Sequence, residues 1–331
     1  MIPIMEIIHA YKKWKETTNT SPSNLHLGHY HALLQDDGKT YDATNPDPAH
    51  YIWNIIYLII NNSIKNGRGP PRYDQVHQIM QEKIIGNNRL PKLRRINKYE
   101  SEYNLILKYF WPHQASKLEG DAQILGTHQY GGRKNHQAHD FVMINELIIE
   151  HHRMTHTPLL ITQHDNTACF DRTVHSVCNL FNRKYNIPYD VCKFVTRKKQ
   201  ETEYYALTSQ GVSKESYKHS STSPVWGSGQ GSGNAGTEWN FISIPLMNIQ
   251  ERISQGCTIS GPEGSKWKQS MIAFVDDTRQ YNNKKNSQQP ITTVQAEINT
   301  WRQLTRHTGG ESMPINVLIT TYNGNRTSMV A

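Results

Sequence analysis

Met271-Ile272-Ala273-Phe274-Val275-Asp276-Asp277-Thr278-Arg279 is the stretch on which the reading of this chain turns. A short apolar run ends in two adjacent carboxylates, and Arg279-Gln280-Tyr281-Asn282 reads as a return strand. Such a hairpin sets both aspartates at a tight tip, where a divalent ion and a phosphate can approach. An aspartate pair in a solvated turn looks the same, so the hairpin acquires meaning only with a partner.

The partner lies upstream. Thr157-Pro158-Leu159-Leu160-Ile161-Thr162-Gln163-His164-Asp165 is again an apolar strand ending near an aspartate, followed by Asn166-Thr167-Ala168-Cys169-Phe170-Asp171-Arg172. Two such strands side by side would bring Asp165 and Asp276 from distant sequence to one sheet edge. Mg²⁺ suits a site of this kind because it takes hard oxygen ligands, keeps several waters and shares substrate phosphates. Two ions about 3.5–4 Å apart can activate an attacking oxygen and stabilise a leaving one.

Asp165-x-x-x-Cys169-Phe170-Asp171 resembles motif A of reverse transcriptases, and Phe274-Val275-Asp276-Asp277 resembles their aromatic-x-Asp-Asp motif C. Between them, Trp226-Gly227-Ser228-Gly229-Gln230-Gly231-Ser232-Gly233-Asn234 is similar to motif B, a Gln-Gly-Ser turn leading into a helix. A flexible Gly/Ser linker is the alternative reading of that segment. Gln129-Tyr130-Gly131-Gly132-Arg133-Lys134 resembles the fingers motif preceding motif A in non-LTR elements and group II intron proteins, and Lys92-Leu93-Arg94-Arg95-Ile96 resembles an earlier one. A helix from about Pro290 to His307 ends at Gly309-Gly310, as motif D does. The ordered set covers roughly residues 20 to 312, and Ser21–Tyr30 also looks like a block of retroelement polyproteins.

The resemblance implies an RNA-directed DNA polymerase that extends a DNA or RNA primer with dNTPs on an RNA template. It implies two Mg²⁺ ions, with Mn²⁺ as the alternative, held by Asp165 and Asp276 with Asp277 more peripheral. Phe170, five residues after Asp165, would stack under the sugar and exclude a 2′-hydroxyl; RNA-dependent RNA polymerases usually carry an aspartate there. Gln230 and Gly231 would contact the incoming nucleotide and template. Lys92, Arg94 and Arg133 are the triphosphate candidates, since arginine forks match phosphate oxygens; a solvated basic face is the other reading of these three. Asp171 is equally an N-terminal helix residue, where acidic groups are favoured.

Composition agrees with a polyanionic partner. The 331 residues carry a formal charge of +8, with pI near 9.1 and mean hydropathy −0.70. Lys83, Arg89, Lys92, Arg94, Arg95 and Lys98 crowd one stretch against Glu82 alone, a pattern that gives salt-sensitive, sequence-independent phosphate binding. The four cysteines include no close pair, which argues against a zinc site or disulfide framework and for reduced thiols inside the cell, in cytoplasm or nucleus. The most apolar run, Tyr51–Ile60, is short of the roughly 20 residues a bilayer span needs, and no signal peptide opens the chain. No membrane partner is therefore expected, and oligomeric state stays open.

The expected architecture is α+β: a right-hand polymerase fingers–palm with an antiparallel palm sheet and packed helices. Residues 1–156 would form an N-terminal extension and fingers; residues 157–331 would form a palm carrying motifs A to D. Helices are expected over about 137–153, after motif A around Val174–Phe181, and from Asn234, with Pro245 kinking or ending the last. Two departures qualify the match. The lysine usual shortly after the motif D glycines is replaced by Glu311-Ser312-Met313, and Ala331 leaves no room for a thumb. A truncated or decayed retroelement fragment that binds nucleic acid without polymerising is the alternative these departures keep open.

Overall fold

Met271, Ile272 and Ala273 are all buried, which explains why their strand reads as an unbroken apolar run: side chains alternate across a sheet, and this sheet is covered on both faces. A computed structural model describes residues 1–18, 20–34, 48–87, 89, 93–119, 122–166, 169–283, 290–320 and 326–329. In chain order its elements are α1 (Ile4–Lys13), α2 (Leu27–Ala32), α3 (Pro48–Asn66), β1 (Gln75–Glu82), β2 (Leu93–Lys98), α4 (Ser101–Leu118) and α5 (Ala122–Leu125). Then come α6 (Ala138–Met154), β3 (Leu159–Asn166), α7 (Cys169–Arg172), α8 (His175–Lys184), α9 (Tyr189–Glu201), β4 (Glu203–Thr208) and β5 (Gly211–Lys218). The remainder is α10 (Ala235–Ile253), β6 (Cys257–Ser260), β7 (Lys266–Gln269), β8 (Met271–Phe274), β9 (Asp277–Asn282), α11 (Pro290–His307), β10 (Ser312–Thr320) and β11 (Arg326–Met329). The fold is mixed α+β with mostly antiparallel pairing. No helix among the described residues is long and apolar enough to cross a membrane.

The chain forms two compact units, each assembled from two stretches: residues 1–114 with 182–235, and 115–181 with 236–331. A single boundary at residue 156, as the sequence led us to expect, is not how the chain divides. Helix α6 packs on β6 and β8 and so belongs with the later sheet. Residues 203–218 supply β4 and β5 to the sheet begun by β1 and β2, in the order β2-β1-β4-β5.

In the first unit β1 pairs parallel with β4, and the other pairings are antiparallel. Helices α1, α2, α3 and α9 pack together, burying Ile7, Tyr11, Leu27, Tyr30, Trp53, Ile60 and Phe194. The Ser21–Tyr30 segment is tied to two buried glutamates. Ser23 Oγ donates to Glu100 Oε1 at 2.9 Å, and Tyr30 Oη donates to Glu102 Oε1 at 3.2 Å. Burial pushes the Glu100 carboxyl up, against the lowering effect of its bonds from Ser23.

In the second unit the strand order is β11-β10-β3-β9-β8. On one face α6 contributes Phe141, Ile148 and Ile149 to a core with Leu159, Ile161, Ile272 and Tyr281. On the other, Cys178 of α8, Ile242, Leu246 and Met247 of α10, and Trp301 of α11 pack against Met271 and Ala273. Helix α10 runs on past Pro245 to Ile253, so of the two outcomes expected at that proline, a kink or an end, the end does not occur. Ile244, Leu246 and Met247 beside it are buried, and their packing outweighs the one backbone bond proline cannot make. Helices α6 and α11 lie within a residue of where the sequence placed them.

Candidate active site

The carboxylates are brought together by strand register. β3 pairs antiparallel with β9, setting Asp165 opposite Asp277, and β8 pairs with β9 so that Phe274 faces Asp277. Only Val275 and Asp276 remain to turn the chain. Two-residue hairpin loops favour turns with positive φ, normally filled by Gly, Asn or Asp. Here the residue is Val275, at φ +59°, a conformation that costs an L residue roughly 1–2 kcal/mol. Strain of this kind persists only where the surroundings over-determine it.

They do. Val275 N–H donates to Gln129 Oε1 at 2.9 Å, while Val275 O accepts from Gln129 Nε2 at 3.1 Å and from Trp239 Nε1 at 2.7 Å. The next carbonyl, of Asp276, accepts from Asn166 Nδ2 at 2.9 Å. Asn166 directly follows Asp165 and also donates to Thr278 Oγ1 at 3.2 Å, so one side chain joins the two carboxylate-bearing segments. Gly131 lies so close that a Cβ there would fall on Val275 N and Cγ2.

Asp165 and Asp276 both act on one buried thiol. Cys169 opens α7 and is buried; burial chiefly, and then the negative charges of Asp276, Asp171 and Asp165, push its thiol well up. Three carboxylates thus bear on one protonated sulfur. Asp165 and Asp276 are half-buried and Asp277 is exposed. Asp165 and Asp277 make no side-chain hydrogen bond or ion pair with a described residue.

This donor set is all oxygen, as Mg²⁺ chemistry demands, and the neighbouring thiol is kept out of the thiolate form that soft metals select. Among the described residues no group of three or more His, Cys, Asp and Glu side chains is placed to hold a metal ion. A Mg²⁺ site does not need one, because one or two carboxylates with water and phosphate oxygens complete its shell. The residues present fit the ion.

Phe170 follows Cys169 on α7 and is half-buried. Gln230 and Gly231 lie in the first unit, on β2: Asn97 N–H donates to Gln230 O at 2.7 Å, and Asn104 Nδ2 reaches Gly231 O at 3.4 Å. Tyr99 Oη and Lys199 Nζ hold the preceding Ser228, through its carbonyl at 2.8 Å and its hydroxyl at 2.9 Å. The segment is therefore a clamped turn, not a loose Gly/Ser linker. Arg94 is exposed on β2, and Lys92 lies outside the described residues.

Arg133 has to be reassigned. Its guanidinium donates twice to Glu119 Oε1, at 2.9 and 2.6 Å, and to the carbonyls of Gly126 and Gln129, at 3.1 and 3.0 Å. Its side chain is 6% exposed. With these donors spent inside the unit, Arg133 braces the loop that carries Gln129 and offers no fork to a triphosphate.

Sequence reading passed over Gln129, Trp239 and Asn166 as site residues. One signal was present: a β-branched valine in a two-residue hairpin loop announces strain, and strain needs buried polar partners. Which side chains would supply them could not be read, because Gln129 and Trp239 lie far from Val275 in sequence. No model of a known protein family and no curated protein sequence matches this chain.

Proposed function

We propose that this chain carries the fingers and palm of an RNA-directed DNA polymerase, which extends a primer with dNTPs on an RNA template. The observation that carries the reading is the register placing Asp165 opposite Asp277 at a hairpin whose two-residue loop contains Asp276. Asp165 and Asp276 would hold divalent ions, with Asp277 at the periphery. When bound, Mg²⁺ would neutralise phosphate charge and polarise the attacking and leaving oxygens. The protein's share is positioning: the fixed strand ends aim the carboxylates, and the clamp on Val275 keeps the turn from relaxing. The hydrogen-bonded Gln230–Gly231 turn and exposed Arg94 are assigned to nucleotide, template and phosphate contacts, and Phe170 to rejection of the 2′-hydroxyl.

One observation favours the second reading, nucleic-acid binding without polymerisation. Where the resemblance would place a lysine, Glu311 stands instead and pairs with Arg172 at 2.6 Å. Single-nucleotide incorporation on a primed RNA template at low salt, with Mg²⁺, separates the two. The first reading expects dNTP addition that Asp165→Asn and Asp276→Asn abolish, and Phe170→Ala raising ribonucleotide use relative to deoxyribonucleotide by roughly 10–100-fold. Salt-sensitive binding with no incorporation, or incorporation indifferent to Asp276, overturns it.

A further inference from the structure

Gln129 is fully buried, and its carboxamide uses both ends on the carboxylate turn and its surroundings. Oε1 accepts from Val275 N–H at 2.9 Å and from Gly131 N–H at 3.0 Å. Nε2 donates to Val275 O at 3.1 Å and to Ser243 Oγ at 3.4 Å. One side chain therefore grips both polar groups of the Val275 residue. The grip is itself anchored, because Gln129 lies on a short parallel bridge to β8: Ala273 N–H donates to His128 O and Tyr130 N–H to Ala273 O, both at 2.8 Å. Trp239 Nε1, buried on α10, gives Val275 O its second donor at 2.7 Å.

We infer that Gln129 is a positioning residue for Asp276. Its carboxamide holds Val275 in the left-handed conformation at φ +59°, and that conformation fixes the direction in which the next residue presents its carboxylate to a divalent cation. The role rests on the polymerase reading only in naming the cation; the lock on the turn stands by itself. A buried Gln bonded to a neighbouring loop merely for stability would show a different dependence. If Gln129 exists to hold a non-glycine residue at positive φ, then glycine at position 275, which adopts that conformation without penalty, should make Gln129 largely dispensable.

The experiment uses the whole chain and two readouts. Mn²⁺ binding is followed by the loss of the free-ion paramagnetic resonance signal, and backbone exchange in residues 271–282 by hydrogen–deuterium exchange. Gln129→Leu removes both ends of the grip. It should weaken Mn²⁺ binding roughly tenfold or more, the usual cost of losing an outer partner of a metal site, and speed exchange in 271–282 at unchanged circular dichroism. Trp239→Phe, which removes one donor to the same carbonyl, should do both to a smaller degree. The double variant Gln129→Leu with Val275→Gly should regain most of the lost affinity.

Wild-type affinity in Gln129→Leu, or no rescue in the double variant, overturns the inference. If Asp276→Asn leaves Mn²⁺ binding unchanged, the polymerase reading fails. The lock is then decided by exchange alone: faster exchange in Gln129→Leu keeps it, and unchanged exchange removes it. Should Gln129→Leu not fold, Trp239→Phe decides, and exchange matching wild type overturns the inference.

Discussion

One turn in each unit reaches left-handed backbone, and the two do so by opposite means. In the first unit, Gly227, Gly229 and Gly231 take φ of +80°, +72° and +100°, as glycine does at little cost, and Gly231 lets its backbone close on Asn97, where a Cβ would fall on the carbonyl oxygen. In the second, Val275 takes +59° against its own preference, held by Gln129 and Trp239. The glycine turn obtains close approach from the absence of a side chain. The valine turn obtains a fixed direction for Asp276 from side chains brought in from elsewhere. Both turns thus reach left-handed backbone, one by omitting the side chain and the other by holding a β-branched residue there with hydrogen bonds.

Asp276→Asn and Gln230→Ala should separate the two turns most widely. Loss of the carboxylate should lower the incorporation rate by about three powers of ten, since metal-borne charge stabilisation is worth several kcal/mol and each tenfold is about 1.36 kcal/mol. Gln230→Ala should act mainly on the apparent affinity for nucleotide. Steady-state kinetics checks the split, and equal effects on both parameters in both variants would break the contrast.

Added methyl groups come next. Gly131→Ala drives a Cβ into the Val275 backbone, and Gly231→Ala drives one into Asn97. Each should cost about 2–4 kcal/mol of stability, read from urea midpoints. Only Gly131→Ala should also disturb Mn²⁺ binding, because only it displaces the turn that carries Asp276.

Acid should weaken the carboxylate unit. Burial, aided by neighbouring His151, lowers the His152 pKa to about 4. An unfolded chain takes up that proton near pH 6.5 and the folded one does not, so the contribution is full above 6.5 and falls as pH drops toward 4. The slope is about 1.4 kcal/mol per pH unit for this group. Hydrogen exchange of the second unit at pH 7 and pH 5 measures it, and His152→Gln should reduce the difference, leaving the share of His164, whose pKa burial also lowers to about 4.

Val275→Gly should have the smallest effect on stability. Relief of about 1–2 kcal/mol of left-handed strain opposes the roughly 0.5–1 kcal/mol entropy cost of glycine. The variant should unfold within about 1 kcal/mol of wild type, and a larger loss would mean that Val275 matters for packing rather than direction.

Much of the carboxylate unit was legible in the chain. Met271–Phe274 announced an apolar strand, Asp276 and Asp277 its turn, and Leu159–Asp165 its neighbour, because apolar runs and the residues that end them are local features of the chain. Pro290 and Gly309 likewise marked the ends of α11 within the chain itself. Residues 115–156 were misplaced for the converse reason. Nothing local to α6 says which sheet its apolar stripe covers, and only packing against β6 and β8 decides it. Arg133 carried the charge of a phosphate ligand in sequence, but Glu119 and two carbonyls claim that charge in space. The sequence by itself determined which residues are chemically able to bind a metal and where strands must turn. Tertiary structure alone decided the register opposing Asp165 to Asp277 and the choice of Gln129, Trp239 and Asn166 as the clamp. Hydrogen bonds between residues 36 to 146 positions apart leave no periodic trace along the chain that makes them.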